Sequence, residues 1–138
     1  MGGHLKNAGT QHWIEDEFSG LDLGDERLNK RAKLLMSRFA AKPTASVPMA
    51  SNGWSETIAA YRFLSNDEVD WQAILAPHWA QTRLRMQSRR VVLCLQDTTE
   101  LDFNGQQTQG LGPLNYPTRR GMYLHPTYAV TPEREPLG

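Results

Sequence analysis

Val91-Val92-Leu93-Cys94-Leu95-Gln96-Asp97-Thr98-Thr99 (VVLCLQDTT) runs five apolar residues straight toward a carboxylate. The run is too short for a separate helix and has the β-branched character of a central strand covered on both faces of a sheet. Asp97, at the point where such a strand leaves the core, has two readings. It starts a turn and bonds its own backbone, or it is one ligand of a metal site assembled from strand ends. Magnesium favours hard oxygen ligands of this kind, and a carboxylate at a strand end is rigidly held. Cys94 is the only cysteine, so no internal disulfide is possible, and its place in the apolar run predicts a buried structural thiol.

Downstream, TTELDF reads as a second extended piece and NGQQTQGLGPLNYP as a glycine-rich polar loop. GMYLHPTYAV alternates like a strand, TPEREP is a turn, and Leu137-Gly138 opens another strand, so a sheet is only half written. If the extended chain continues through Phe103, its two-residue period puts Asp97 on one face and Glu100 and Asp102 on the other. They do not share an ion in that geometry. Glu133 and Glu135 fall in the turn between prolines and read as solvent-exposed. One candidate catalytic carboxylate results, and no complete set. Arg119 and Arg120, at the end of the long loop, fit phosphate contacts and a solvated pair equally well.

Upstream of the strand the spacing turns helical. HWIEDEF (12–18) predicts a short amphipathic helix. In LGDERLNKRAKLLMSRFA, Gly24-Asp25 is the expected N-cap, and Glu26 lies where the helix dipole favours an acid. Leu28, Ala32, Leu35 and Phe39 make one apolar face, with Arg27, Arg31 and Arg38 in a stripe beside it. KPTASVPMASNG reads as a loop, and WSETIAAYRFLSN as a helix presenting Trp54, Ile58 and Tyr61 to the core while Ala59 and Ala60 allow close packing. A third long helix starts near Asp70, a candidate cap, and Pro77 is expected to kink or split it. Trp54, Trp71 and Trp79 fall at packing positions and read as core anchors, and His78 and His125 as histidines in structural roles.

At 138 residues the chain has room for one ordinary domain, or for a small one and part of another. No run approaches a membrane span, and MGGHLKNAGT lacks a signal-peptide pattern, so the expectation is a cytoplasmic protein without a membrane partner. The net charge of zero hides an uneven distribution. Residues 1–26 carry one base against six acids, residues 27–90 eleven bases against four acids, and residues 91–138 three against five. The middle block, at +7, has the charge that a phosphate-binding surface requires, and Lys42 and Thr44 extend the arginine stripe into the following loop. Other reaction templates are missing: there is no glycine-rich phosphate loop, Cys-x-x-Cys, G-x-S-x-G or H-E-x-x-H.

Taken in order, LGDERLNKRAKLL, ETIAAYRFLSN, LCLQDTTEL and GMYLHPTYAV resemble the N-terminal part of bacterial cut-and-paste DDE transposases of the transposon-five type, in the insertion-sequence-four family, over about residues 12–138. The motifs are Leu23-Gly24-Asp25-x-Arg27, Ala60-Tyr61-Arg62-Phe63, Asp97-Thr98-Thr99, and Gly121 with His125. The resemblance implies an α+β chain. Residues 1–11 are expected to be a disordered N-terminus, and the resemblance implies that 12–88 form a basic helical domain that grips transposon-end DNA and 89–138 the first strands of an incomplete ribonuclease-H-like domain. Asp97 matches the first Asp of the Asp-Asp-Glu triad, catalytic and a ligand of Mg²⁺ (or Mn²⁺) in a full-length enzyme. Arg27, Arg31 and Arg62 fall in the segments that line the DNA in relatives, and Arg38, Lys42, Thr44, Arg119 and Arg120 complete the expected DNA contacts.

The second Asp and the Glu of the triad have no counterpart here, so the expectation is a piece inactive by itself, needing no cofactor alone. Its partners are double-stranded terminal-repeat DNA and a full-length transposase, on the bacterial nucleoid. Two rivals stand: a binding-only regulator or inhibitor of transposition, and an unrelated α+β interaction protein with a coincidental basic helix. End-specific binding with a steep salt dependence and no metal effect marks the first.

Overall fold

A computed structural model describes residues 12–106 and 108–138. The expected disorder of residues 1–11 lies outside the described residues. The chain divides into two compact units, one ending at Arg83 and one covering Leu84–Gly138. No helix among the described residues is long and apolar enough to cross a membrane.

The first unit is helical. Residues 12–17 form α1, followed by α2 (Glu26–Ala41), α3 (Val47–Ala50), α4 (Trp54–Leu64) and α5 (Trp71–Gln87), the last running on into the second unit. Asp25 starts α2 as expected: its backbone is extended and its carboxylate accepts the Arg27 N–H at 2.8 Å. Gly24 before it has φ 79°, a left-handed conformation open to glycine. Asp70 opens α5 in the same way, accepting the Ala73 N–H at 2.9 Å.

Ile14, Phe18 and Leu21 from α1 and its exit, Ala32 and Leu35 of α2, and Ala60 and Phe63 of α4 make the core, with Leu28, Phe39, Val69 and Ile74 packed around it. The buried face of α4 is not the expected one. Thr57, Ala60 and Phe63 point inward, while Trp54 is 78% exposed and Tyr61 is exposed. The physical reason is the small pair at the centre: Ala32 and Ala60 are 1% and 0% exposed, and turning the bulky face inward would hold α2 and α4 apart. Trp71 and Trp79 are exposed as well, their rings edge to face with centroids 6.3 Å apart, so none of the three tryptophans is a core anchor.

Pro77 neither breaks nor splits α5, which is continuous from Trp71 to Gln87. The capped start and the link from α1, where His78 Nδ1 lies 2.6 Å from Glu17 Oε1 and the His78 ring stacks on Phe18, hold the helix on both sides of the lost hydrogen bond.

A second strut joins α2 to α4. Arg38 Nε donates to Glu56 Oε1 at 2.7 Å, and Glu56 Oε2 accepts the Asn52 N–H at 2.8 Å, tying down the turn before α4. The Arg38 hydrogen bond lowers the Glu56 pKa against the opposing push of burial, and the Asn52 N–H and the Arg31 charge pull in the same direction as Arg38.

The second unit holds two small antiparallel sheets. Strand β1 (Leu93–Gln96) pairs with β5 (Thr127–Val130), from Leu93 opposite Val130 to Gln96 opposite Thr127. The other sheet has the order β2 (Thr99–Asp102), β4 (Arg120–Leu124), β3 (Gly112–Pro113). GMYLHPTYAV is therefore two strands in two sheets, parted at His125-Pro126, and the extended chain likewise breaks at Asp97-Thr98. The two-residue period does not carry from Asp97 to Glu100. Leu137 and Gly138 do pair with β5 through Ala129, whose carbonyl accepts the Leu137 N–H at 2.8 Å.

Two sequence expectations are corrected here. β1 is not a central strand covered on both faces, and Cys94 is exposed rather than buried. With one partner strand and no layer over either face among the described residues, its apolar side chains stay open, Leu95 at 51%.

Two outcomes test these contacts. A Cβ on Gly121 would run into the Leu101 carbonyl and lie 2.9 Å from Leu114 Cδ1, so Gly121→Ala should cost about 3 kcal/mol, the upper end of the overpacking range, in denaturant unfolding of the sheet unit. Glu56→Gln should cost about 1–2 kcal/mol at neutral pH, between the values of exposed and buried ion pairs. Because the folded pKa of Glu56 is lowered from 4.5, its contribution is full above that pH and is lost as pH falls below it. Thermal melts at descending pH should show wild type and variant converging under acid; a constant gap would refute the assignment.

Candidate nucleic-acid interface

The close approach of α2 and α4 leaves a groove of about 540 Å³ on one side, and the arginines gather there. Arg27 and Arg31 come from one face of α2, four residues apart, and Arg62 comes from α4, which presents it beside Phe63 because Ala60 and Phe63 are turned into the core. Asn66 and the acids Asp25 and Glu68 complete the polar rim, and Leu23 and Leu28 the apolar floor.

The three arginines are not equivalent. The Arg27 guanidinium is bound to Asp25, Nη2 to Oδ2 at 2.8 Å, which raises the Arg27 pKa and lowers that of Asp25. Arg31 and Arg62 make no side-chain hydrogen bond or ion pair among the described residues, although Arg31 is near enough to help hold Glu56 ionised. Two guanidinium groups with unspent donors beside one apolar floor are what a phosphodiester backbone meets well: fixed positive charge, planar forks and a shallow open cleft.

Other expected contact residues are elsewhere. Arg38 leaves the stripe to bind Glu56, because its position near the end of α2 faces α4 rather than the groove. Lys42 Nζ donates to the Met49 carbonyl at 2.8 Å, and Thr44 is exposed in the link between α2 and α3. Arg119 and Arg120 belong to the sheet unit. Arg120 Nη2 donates to the Leu111 carbonyl at 2.8 Å, while Arg119 lies 3.7 Å from Asp102 and over the Tyr116 ring.

Asp97 follows β1 directly and is exposed, and its Oδ1 accepts the Thr98 N–H at 2.8 Å. The turn is tied to the β4–β5 junction, since Thr98 Oγ1 and His125 Nδ1 are 2.6 Å apart. Glu100 and Asp102 are engaged on β2: Glu100 accepts the Asn115 N–H and Asp102 the Asn104 N–H. Among the described residues no group of three or more His, Cys, Asp or Glu side chains is placed to hold a metal ion.

The sequence reading missed Asn66, Glu68 and the engagement of Arg27. Only the Asp25-x-Arg27 spacing carried a signal for that last feature, since a cap acceptor and a guanidinium two residues on reach each other at the first turn.

All three groove arginines lie within residues 10–69, and that segment matches the family model for transposase DNA-binding, which supports a DNA-binding portion of a transposase in this part of the chain.

Proposed function

We propose that the helical unit grips the terminal-repeat DNA of a transposon, with the α2–α4 groove seated on the duplex backbone. The observation that carries this reading is the convergence of Arg31 and Arg62, neither of which makes a side-chain hydrogen bond or ion pair among the described residues, within the segment that matches the transposase DNA-binding family. Arg31 and Arg62 make the main contacts, Arg27 adds a third, and Asn66, whose Oδ1 accepts the Glu68 N–H at 2.9 Å, offers its amide N–H donors to a base edge or sugar. The middle block's charge of +7, which the whole-chain average cancels, supplies the long-range attraction to phosphate.

In the same reading the sheet unit is the opening of a ribonuclease-H-like catalytic domain of the cut-and-paste DDE class. The support is local: an antiparallel strand, β1, leads directly to Asp97 and a threonine pair, at the place where the resemblance sets the first acid of the triad. Mg²⁺ chemistry requires at least one further carboxylate at the same point, and the described residues offer Asp97 without that company. No cleavage step is derived from this chain. Its own part is to bind and orient duplex DNA, while Asp97 is the carboxylate it would contribute to a metal site.

Gel retardation on terminal-repeat and scrambled duplexes tests the grip. Arg31→Ala and Arg62→Ala should each weaken retention, by about 1–3 kcal/mol where the residue reads a base and less where it meets only phosphate, and each should flatten the slope of log K against log salt by about one. Arg38→Ala should instead lower the melting temperature. Unchanged affinity in both groove variants would sink the proposal.

A further inference from the structure

Asp25 and Arg27 stand at the rim of the groove bound to each other. Arg27 Nη2 donates to Asp25 Oδ2 at 2.8 Å, and Nε lies 3.2 Å from both carboxylate oxygens. The same carboxylate accepts the Arg27 backbone N–H, the cap of α2. Capping needs one acceptor oxygen, and asparagine supplies it as well as aspartate. The ion pair is therefore a separate function of Asp25, unnecessary to the start of the helix. It is an open contact, with the Arg27 side chain 90% exposed, and exposed pairs are cheap to break. Its effect is on the groove: one of three arginines is already neutralised, and an acid stands among the groups that would meet phosphate.

Resting on the DNA-binding reading above, we infer that Asp25 is a specificity-determining residue, which withholds the Arg27 guanidinium from any phosphate not delivered to the position where it displaces the carboxylate. Arg31 and Arg62 attract duplex DNA of any sequence. Arg27 strengthens binding only where exchange of carboxylate for phosphate leaves its donors equally well matched, and the released carboxylate repels a phosphate seated out of register. A misplaced duplex thus loses more affinity than a well-placed one, which is discrimination by repulsion as well as by attraction.

Fluorescence anisotropy with a short mixed-sequence duplex across a salt series tests this on wild type, Asp25→Asn, Arg27→Ala and the double variant. Asp25→Asn should bind the mixed-sequence probe about two- to fivefold more tightly, the range set by an exposed ion pair, with the salt slope steeper by about one. In the Arg27→Ala background the same change removes only the carboxylate's repulsion and frees no guanidinium, so its gain should be clearly smaller than in the wild-type background. Selection from a randomised duplex pool should give weaker sequence enrichment with Asp25→Asn than with wild type. Absence of the gain, a gain undiminished without Arg27, or undiminished enrichment overturns the inference while leaving the grip intact. Failure of the wild type to bind duplex at any salt overturns the grip itself. Circular dichroism reports the fold of each variant, and Asp25→Ser, which also caps, repeats the measurement if the Asn variant unfolds.

Discussion

The helical unit depends on how closely α2 comes to α4. Ala32 and Ala60, both nearly inaccessible, belong to one core cluster with Leu35 and Phe63, and with no side chain beyond Cβ they leave room for α2 and α4 to approach. Dispersion contacts at such short range are strong in sum because the interior is close-packed. The same approach fixes the rest of the unit's surface. It turns Trp54 and Tyr61 outward, brings Arg38 against Glu56, and leaves a groove along which Arg27, Arg31 and Arg62 are brought together from two helices.

Charge in this unit is divided by what each cation meets. Arg38 and Lys33 bind carboxylates at 2.7 Å and 2.9 Å from other elements, and Lys42 spends its ammonium on a backbone carbonyl. These contacts hold helices and loops in place and are occupied. Arg31 and Arg62 hold their donors toward a solvated groove, where an incoming polyanion exchanges with water rather than with protein. Arg27 lies between these extremes because a carboxylate two residues away already holds it. A row of arginines on a helical wheel is thus not a row of equivalent contacts.

In the sheet unit the chain changes sheets at two places, Asp97-Thr98 and His125-Pro126, and the hydrogen bond between Thr98 and His125 ties those junctions together. Gly121 lets β4 run between β2 and β3, where a methyl group would meet the Leu101 carbonyl. The position of Asp97 is set by this crossing rather than by continuation of β1, which is why Glu100 cannot be placed from Asp97 by counting residues.

Local chemistry was legible from the residues themselves. The Asp25 and Asp70 caps, the apolar face of Leu28, Ala32, Leu35 and Phe39, the strand before Asp97 and the basic middle block all follow from spacing and side-chain type within one or two turns of chain. The tertiary structure decided which face of α4 is buried, that α5 runs through Pro77, that Cys94, Trp54, Trp71 and Trp79 are exposed, and which arginines make no ion pair among the described residues. Each of those outcomes depends on a group distant in sequence: Ala32 against α4, Glu17 beside His78, Glu56 for Arg38. Periodicity records what a residue is and how often it recurs, whereas burial and pairing are set by what another segment brings to it.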